Sequence, residues 1–406
     1  MPFDVNRDFS IFDSLIKKRP ELASDQFKKE LESYYLPYIK RLVDLKNKKN
    51  SDEGVIVGVS AIQGAGKTTQ GEVLEVLLKH LGYSSVSLSI DDHYITHKEL
   101  CELRNIDPRY IRRGVTHDIP LAIRDLSSLQ KMDHKPVIIS GYDKGANHGD
   151  GERFAWVNLN HESSIKYQVL WENLFINKAS QKVLVLKLIN VVVNGLEVEL
   201  PQRMGSDLPI IENLLPLELI EFLKNQEGQQ ITVTLSGNDD LKFSGTSEIV
   251  VPKKGLPNGW KVVSKKPDFI FYDGWMLGVR MADDVSFNMD LPALETGDYK
   301  DFARMINKRL ENYQILWQMI GFLNVLYVPD YQISIKWRDQ AEEILRQKGE
   351  GMTHKEIVEF VYYFWRSVHP AIHIRNLARD TLHTNQVTII NEDHSISEVL
   401  SPDKVI

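Results

Sequence analysis

Residues 61 to 68 read Ala61-Ile62-Gln63-Gly64-Ala65-Gly66-Lys67-Thr68. Glycines at this spacing let the backbone curl until several N–H groups face one anion. The lysine offers an ammonium to the β- and γ-phosphates of a nucleotide, and the threonine offers a hydroxyl to Mg²⁺. The pattern is that of a nucleotide phosphate loop, with Ala61 standing where the first glycine usually does. That first position is mainly a turn requirement, which alanine tolerates. Two acidic features add to it. Asp91-Asp92 falls where a second strand should end, on the ligand-facing edge of an open α/β sheet, and a carboxylate there can orient a hydroxyl and accept its proton. Asp273 closes the apolar run FIFYD, as a carboxylate linked to Mg²⁺ should. A GTPase would carry an Asn-Lys-x-Asp guanine motif; Asn307-Lys308-Arg309-Leu310 fails it and falls in an expected helix. Together these residues point to small-molecule phosphoryl transfer.

The elements that must position them follow from periodicity. GVIVGVS (54–60) is a short apolar, β-branched run and reads as a buried parallel strand. The phosphate loop follows, then a helix over Gln70–Leu81 with Gly82 as its stop. SSVSLSI (84–90) reads as a second strand, 117–130 as a helix and KPVIIS (135–140) as a third strand. The alternation predicts an α/β fold with a mainly parallel sheet flanked by helices. Residues 11–50 show apolar positions at three- and four-residue spacing, which predicts an N-terminal helical segment. The pattern breaks at 158–259. There we expect helices over Ser164–Asn177 and Leu214–Asn225, an apolar run Val183–Val193, and a hairpin of ITVTLS and LKFSGT turning at 237–240. This predicts a small inserted α+β subdomain. The parallel pattern resumes at DFIFYDG (268–274), with a long helix (Tyr299–Met319), a strand (Gly321–Val328), helices over Ile333–Gln347 and Thr353–His369, and a closing β-hairpin. The expected organisation is 1–50 helical, 51–157 with 260–406 as the nucleotide domain, and 158–259 as an insertion.

The composition narrows the function classes. The chain has 406 residues, 42% hydrophobic and 26% charged, as soluble globular proteins do. Its net charge of −7 argues against a general nucleic-acid binder. The single cysteine, Cys101, allows no intramolecular disulfide and no Cys-rich zinc site. The most apolar stretches, VLVLKLINVVV and IGFLNVLYV, are too short or carry a charge, so no membrane span is expected. The N-terminus lacks a secretory pattern, so a cytoplasmic location is expected. His354, His369 and His373 lack compact metal-ligand spacing. The aromatics Tyr362, Tyr363, Phe364 and Trp365 read as core rather than as a base-stacking platform. No oligomeric state follows from the sequence.

Six blocks in order resemble the D-glycerate 3-kinase family, P-loop kinases related to uridine kinase, phosphoribulokinase and pantothenate kinase. They are VSAIQGAGKTT, SIDDHYIT, RRGVTHDIPL, GYDKGANHGDGER, FIFYDGWMLG and WRDQAEEILRQKGEGMTHKEIVEFV. They span residues 54–157 and 266–370. Two departures stand inside them: His93 where the family usually has phenylalanine, and Asp273 where it usually has glutamate. The insertion has no counterpart in this pattern.

The resemblance implies transfer of the ATP γ-phosphoryl group, with Mg²⁺, to the 3-hydroxyl of D-glycerate, giving 3-phosphoglycerate and ADP. In a photosynthetic organism that step completes photorespiratory glycerate recycling. It implies that Gly64, Ala65, Gly66, Lys67, Thr68 and Thr69 hold the nucleotide phosphates and the metal. Asp91 would be the general base, supported by Asp92, and Asp273 would orient Mg²⁺ directly or through water. Arg113, His117, Lys144 and Arg153, each in a matched block, would hold the small anionic substrate, since guanidinium groups bind carboxylates bidentately. Arg338 and Arg346, two turns apart on one helix, would form a lid over the transferring group. Two other readings stay open: a related kinase for another hydroxylated metabolite, and a nucleotide-binding regulator without turnover that uses the insertion to contact a partner.

Overall fold

The computed structural model describes residues 3–49, 52–133, 135–153, 157–158, 165–176, 182–193, 196–198, 208–211, 230–236, 240–244, 248–252, 260–347 and 351–405. The chain divides into two compact units. The first comprises Met1–Asp91, Leu103–Ile119 and Pro267–Ile406, and the second Asp92–Glu102 and Pro120–Lys266.

The first unit is built on a six-stranded sheet. Its strands are β1 (Val55–Ala61), β2 (Ser85–Ser89), β3 (Phe269–Gly274), β4 (Phe322–Tyr327), β5 (Gln386–Ile390) and β6 (Ile396–Leu400), in the order β6-β5-β4-β1-β3-β2. All pairings are parallel except β5 with β6. Every residue of β1 is buried, which explains why the strand reads as a continuous apolar run rather than an alternation. The chain leaves β1 towards β2 on one side and later crosses to β4 on the other. The carboxyl end of β1 is therefore a topological switch point, where ligands of open α/β sheets sit.

The longer helices of this unit are α1 (Leu36–Lys49), α2 (Lys67–His80), α3 (Gly297–Arg309), α4 (Ile333–Arg346) and α5 (His354–Ser367). Leu31, Tyr34, Tyr38, Ile39 and Leu42 from the N-terminal segment share one core cluster with Val73, Leu74, Leu77 and Leu78 of α2 and with Val55, Val57, Phe269, Phe271 and Phe322 of the sheet. The N-terminal helical segment is thus a layer of the first unit. The long helix expected over 299–319 is broken: α3 ends at Arg309 and a 3₁₀ turn, Leu310–Tyr313, precedes the short helix Gln314–Trp317. Thr353 and Glu356 form a reciprocal capping box at the start of α5.

Beyond α5, a turn over Pro370–Ile374 buries His369 and His373. His369 Nε2 lies 3.0 Å from the Pro292 carbonyl, and His373 Nε2 lies 3.1 Å from Asn307 Oδ1. Burial pushes their pKa values down, to about 4 for His369 and about 3 for His373. Both therefore stay neutral in the fold where the unfolded chain, near 6.5, would take up protons. Their contribution to stability is complete above pH 6.5 and is lost as the pH falls towards the folded values. For the pair the loss between pH 7.5 and pH 5 is on the order of 4 kcal/mol. Thermal melts should show the midpoint falling across this window, and less steeply in the His369→Gln/His373→Gln double variant. Parallel curves for the two proteins would refute the assignment.

The second unit departs from the expected pattern in two places. KPVIIS does supply a strand, Val137–Ile139, but it does not join the parallel sheet. It pairs antiparallel with Trp260–Val263, whose other neighbour is Val157–Asn158. Three apolar residues specify a strand and carry no information about which sheet receives it. The helix expected over Ser164–Asn177 is instead a strand, Ile165–Ile176, paired antiparallel with Lys182–Val193. Irregularities at Gln168/Val169 and Trp171/Asn173 reset the register, so the apolar positions slip out of strict alternation and imitate helical spacing. The expected hairpin is present as Gln230–Ser236 with Asp240–Ser244. The expected helix Leu214–Asn225 lies outside the described residues.

Candidate active site

The phosphate loop leaves β1 at Ala61, which still pairs with Leu326 of β4 as a strand residue. Its φ is not positive, so alanine costs nothing at this position. The glycines that matter come later. Gly64 and Gly66 have φ of 85° and 86°, in the left-handed region that favours glycine. A Cβ on Gly64 would also lie 2.8 Å from Trp337 Cβ on α4. The left-handed residues turn successive N–H groups to one side and deliver the chain to the N-terminus of α2, an arrangement suited to an anion. Lys67 Nζ donates to the carbonyls of Ala61 and Ile62 at 2.8 and 2.9 Å, which holds the ammonium within the loop. Thr68 and Thr69 follow in the first turn, Thr68 exposed and Thr69 half-buried.

The two carboxylates of this unit sit on neighbouring strand ends. Phe269–Tyr272 are buried, and Asp273 lies opposite Val59 on one side and Ser89 on the other. Ser89 Oγ donates to Asp273 Oδ1 at 3.2 Å and accepts from the Asp91 N–H at 3.3 Å. One hydroxyl thus links the candidate metal carboxylate to the candidate base. Gly274 makes this geometry possible: a Cβ there would meet Ile90 Cγ2 at 2.6 Å, so Ile90 can pack down and set the 3₁₀ turn that carries Asp91. Ser89 was not singled out from the sequence; its only signal is a hydroxyl at the last position of a strand. A threonine hydroxyl and a carboxylate are hard oxygen donors of the kind Mg²⁺ prefers, so the residues present fit that ion.

Arg113 and His117 lie in a segment that two buried tyrosines fasten. The Tyr313 hydroxyl is 2.8 Å from His117 Nδ1 and accepts from the His117 N–H at 3.2 Å. Tyr363 of α5 donates to the Arg112 carbonyl at 2.7 Å. Burial pushes both phenols upward, so each keeps its proton. Within the segment, Thr116 Oγ1 donates to the Arg113 carbonyl.

On α4, Arg338 pairs with the buried Glu342 and lies 5.1 Å from the Phe360 ring centre. Arg346 pairs with Asp339 at 3.0 Å and Glu343 at 2.7 Å, and donates to the Met352 carbonyl at 2.7 Å. Each candidate lid arginine is held by carboxylates of its own helix. The α4 residue against the loop is Trp337, whose Nε1 donates to the Glu392 carbonyl at 2.9 Å and whose ring stacks on His394 at 4.4 Å. A cavity of about 750 Å³ has Ile62 of the loop in its wall, with Tyr327, Pro329, Ile389 and Leu400 as apolar lining and Glu398 among its charged groups.

The other sequence-derived candidates belong to the second unit. Asp92 lies 4.0 Å from Lys261. Lys144 is exposed, in the turn after the short strand Tyr142–Asp143. Arg153 is buried, and its Nε donates to the Tyr94 carbonyl at 3.1 Å. Its neighbour Glu152 has a pKa raised by burial. His93 is fully buried, with Nε2 3.3 Å from Asp125 Oδ2. Burial alone would raise Asp125; the hydrogen bond from His93 and the charges of His93 and Arg124 outweigh it and hold the carboxyl below its usual range. Ser140 adds a backbone N–H at 2.7 Å and its hydroxyl to the same oxygen. The polar residue standing at the usual phenylalanine position is therefore matched by a buried acid.

The fold and the loop define a class: an α/β P-loop kinase fold with a mainly parallel sheet. No family profile matches the chain. Among curated proteins it is similar to the chloroplastic D-glycerate 3-kinase of Arabidopsis thaliana, 24% identical over 82% of this chain and 53% of that protein. The chain thus spans about half the length of that relative. It is also similar to the uncharacterized kinase mug58 of Schizosaccharomyces pombe, 20% identical over 80% of this chain and 84% of the other. Among solved structures, the D-glycerate 3-kinase of Cryptococcus neoformans matches 89% of this chain and 96% of that one, with TM-score 0.54 and 18% identity. The YGR205w protein matches 90% and 96%, with TM-score 0.53 and 16% identity. The chain resembles the D-glycerate 3-kinase family in sequence over most of its length, and its structure shares that fold. No helix among the described residues is long and apolar enough to cross a membrane.

Proposed function

We propose that the protein is an ATP-dependent kinase that phosphorylates D-glycerate at its 3-hydroxyl, giving 3-phosphoglycerate and ADP. The observation that carries this reading is the phosphate loop at the end of β1 together with Asp273 and Asp91, joined through Ser89 on the adjoining strand ends. The names of the relatives supply the acceptor; the site supplies the chemistry. Backbone N–H groups of Gly64–Thr69 would bind the polyphosphate. Lys67 would release the two loop carbonyls for the β- and γ-oxygens. The cavity walled by Ile62 would take the nucleoside end.

Thr68 and Asp273 would hold Mg²⁺, which when bound neutralises charge on the phosphate oxygens. Asp91 would accept the proton of the attacking hydroxyl as the new O–P bond forms and the bond from the γ-phosphorus to the β,γ-bridging oxygen breaks, leaving ADP. Arg113, His117, Lys144 and Arg153 are the proposed partners of the anionic acceptor, and Asp92 would support Asp91 as base. Arg338 and Arg346 would have to exchange their present carboxylates to serve as a lid. The expected location is the cytoplasm.

The test is ADP release from Mg·ATP with D-glycerate, L-glycerate, pantothenate, uridine and ribulose 5-phosphate. Turnover with D-glycerate alone and 3-phosphoglycerate as product is the expected result. Turnover with another acceptor would keep the kinase and replace the substrate. ATP binding without turnover on any of them would overturn the enzyme reading in favour of a nucleotide-binding regulator.

A further inference from the structure

We propose that Tyr34, in the N-terminal helical segment, is a positioning residue for the phosphate loop and acts through Gln70; this rests on the kinase reading above. Tyr34 is 2% exposed inside the largely apolar cluster under the sheet. Its hydroxyl accepts from Gln70 Nε2 and, at 3.0 Å, from Asn324 Nδ2. It also lies 3.4 Å from Thr388 Oγ1. Thr388 Oγ1 in turn donates to Asn324 Oδ1 at 3.0 Å, and Gln386 Nε2 reaches both at 3.3 and 3.4 Å. Arg41 of α1 closes the outer end by donating to Gln386 Oε1 at 2.8 Å. One phenol therefore ties together the N-terminal layer, β4, β5 and α2.

Two of these anchors lead to the loop. Gln70 stands in the first turn of α2, three residues after Lys67, and its N–H donates to the Gly66 carbonyl at 2.9 Å. Asn324 lies opposite Val59 of β1, two residues before the strand gives way to the loop. The side chain of Gln70 thus fixes the rotation of the turn that carries Lys67 and Thr68. A polar cluster in an apolar layer weakens a core unless its groups are matched. In this cluster Gln70 Oε1 stays without a hydrogen bond. Tyr38, one turn later, serves as the control: it is as deeply buried as Tyr34, and its hydroxyl, whose polar neighbour is Asn324, makes no hydrogen bond to Gln70.

The experiment compares Tyr34→Phe, Tyr38→Phe, Gln70→Leu and the double variant Tyr34→Phe/Gln70→Leu with wild type in the full chain. It measures Mg·ATP affinity by calorimetry, steady-state kinetics and thermal melts. Tyr34→Phe should weaken Mg·ATP binding and lower kcat/KM for ATP by roughly tenfold, since small misplacements of a binding loop are costly, while KM for the acceptor stays unchanged. Gln70→Leu should reproduce this, the double variant should add little further, and Tyr38→Phe should match wild type. Such non-additivity is the signature of two residues acting through one bond.

If Tyr34→Phe and Gln70→Leu lower only the melting temperature, with ATP affinity and kcat at wild-type values, Tyr34 is purely structural and the proposal falls. Should Tyr34→Phe not fold, Gln70→Leu alone decides between the same two outcomes. Lys67→Ala separates the two levels of inference. If it weakens ATP binding while Tyr34→Phe does not, only the positioning role is lost. If wild type itself fails to bind ATP, both inferences fall.

Discussion

Replacing Lys67 with alanine should lower kcat by roughly 10²–10³-fold, the scale of losing one fixed charge partner in a transition state. The expectation comes from where the ammonium is held. Among its contacts are the carbonyls of Ala61 and Ile62, at the very start of the loop, which keep the ammonium beside the loop proposed to bind the phosphates. The carbonyls it leaves belong to the buried Ala61 and Ile62. The fold should therefore lose about 1–3 kcal/mol, the scale of leaving a buried acceptor without its donor. Single-turnover phosphoryl transfer and a thermal melt on the same preparation check both halves. A near-wild-type rate would remove the phosphate-loop assignment, and a collapsed melt would show that Lys67 serves the fold first.

Asp91→Asn should cost about 10²–10⁴-fold in kcat, as loss of a general base does, with Mg·ATP affinity unchanged. The amide keeps the size of the carboxylate and cannot accept the proton. It should also leave the backbone turn intact, because the link to Ser89 runs through the Asp91 N–H rather than its side chain. Asp92→Asn should cost far less: its carboxylate lies 4.0 Å from Lys261, within ion-pairing reach of a cation. The measurement is kcat for both variants under saturating ATP and acceptor. A larger effect at Asp92 would transfer the role of base to that residue.

The parts of the site legible in the sequence were those whose chemistry is written in consecutive residues. The loop from Gly64 to Thr68 needs its residue types at fixed spacing, and the structure gives both glycines the left-handed backbone that the spacing requires. Asp273 was legible because an apolar strand ending in an acid is a local pattern. Ser89 and Trp337 were not, because each matters only through a residue distant in sequence: Asp273 for the serine and Gly64 for the tryptophan. Arg338 and Arg346 show the opposite case. Their spacing on one helix face was visible, but not that Glu342, Asp339 and Glu343 on the same helix would hold them. The fold divides along the same line. The central parallel strands β1 and β3 were readable because burial on both faces makes them nearly continuously apolar. The strand Ile165–Ile176 was misread as a helix because its register slips twice against its neighbour. That pairing partner is named nowhere in its own residues.

The pairing of Trp260 with Val157 and Lys261 with Asn158 bears on how this chain tolerates its long excursion. The departure and return of the segment lie side by side, stitched by a parallel ladder and backed by the antiparallel strand Val137–Ile139. The entropy of closing that loop is borne at the seam, and it grows only with the logarithm of the loop's length: doubling the segment adds about 0.6 kcal/mol. The seam thus works like a splice site in the fold. A change in the length of the segment between Asn158 and Trp260 therefore costs little at this seam.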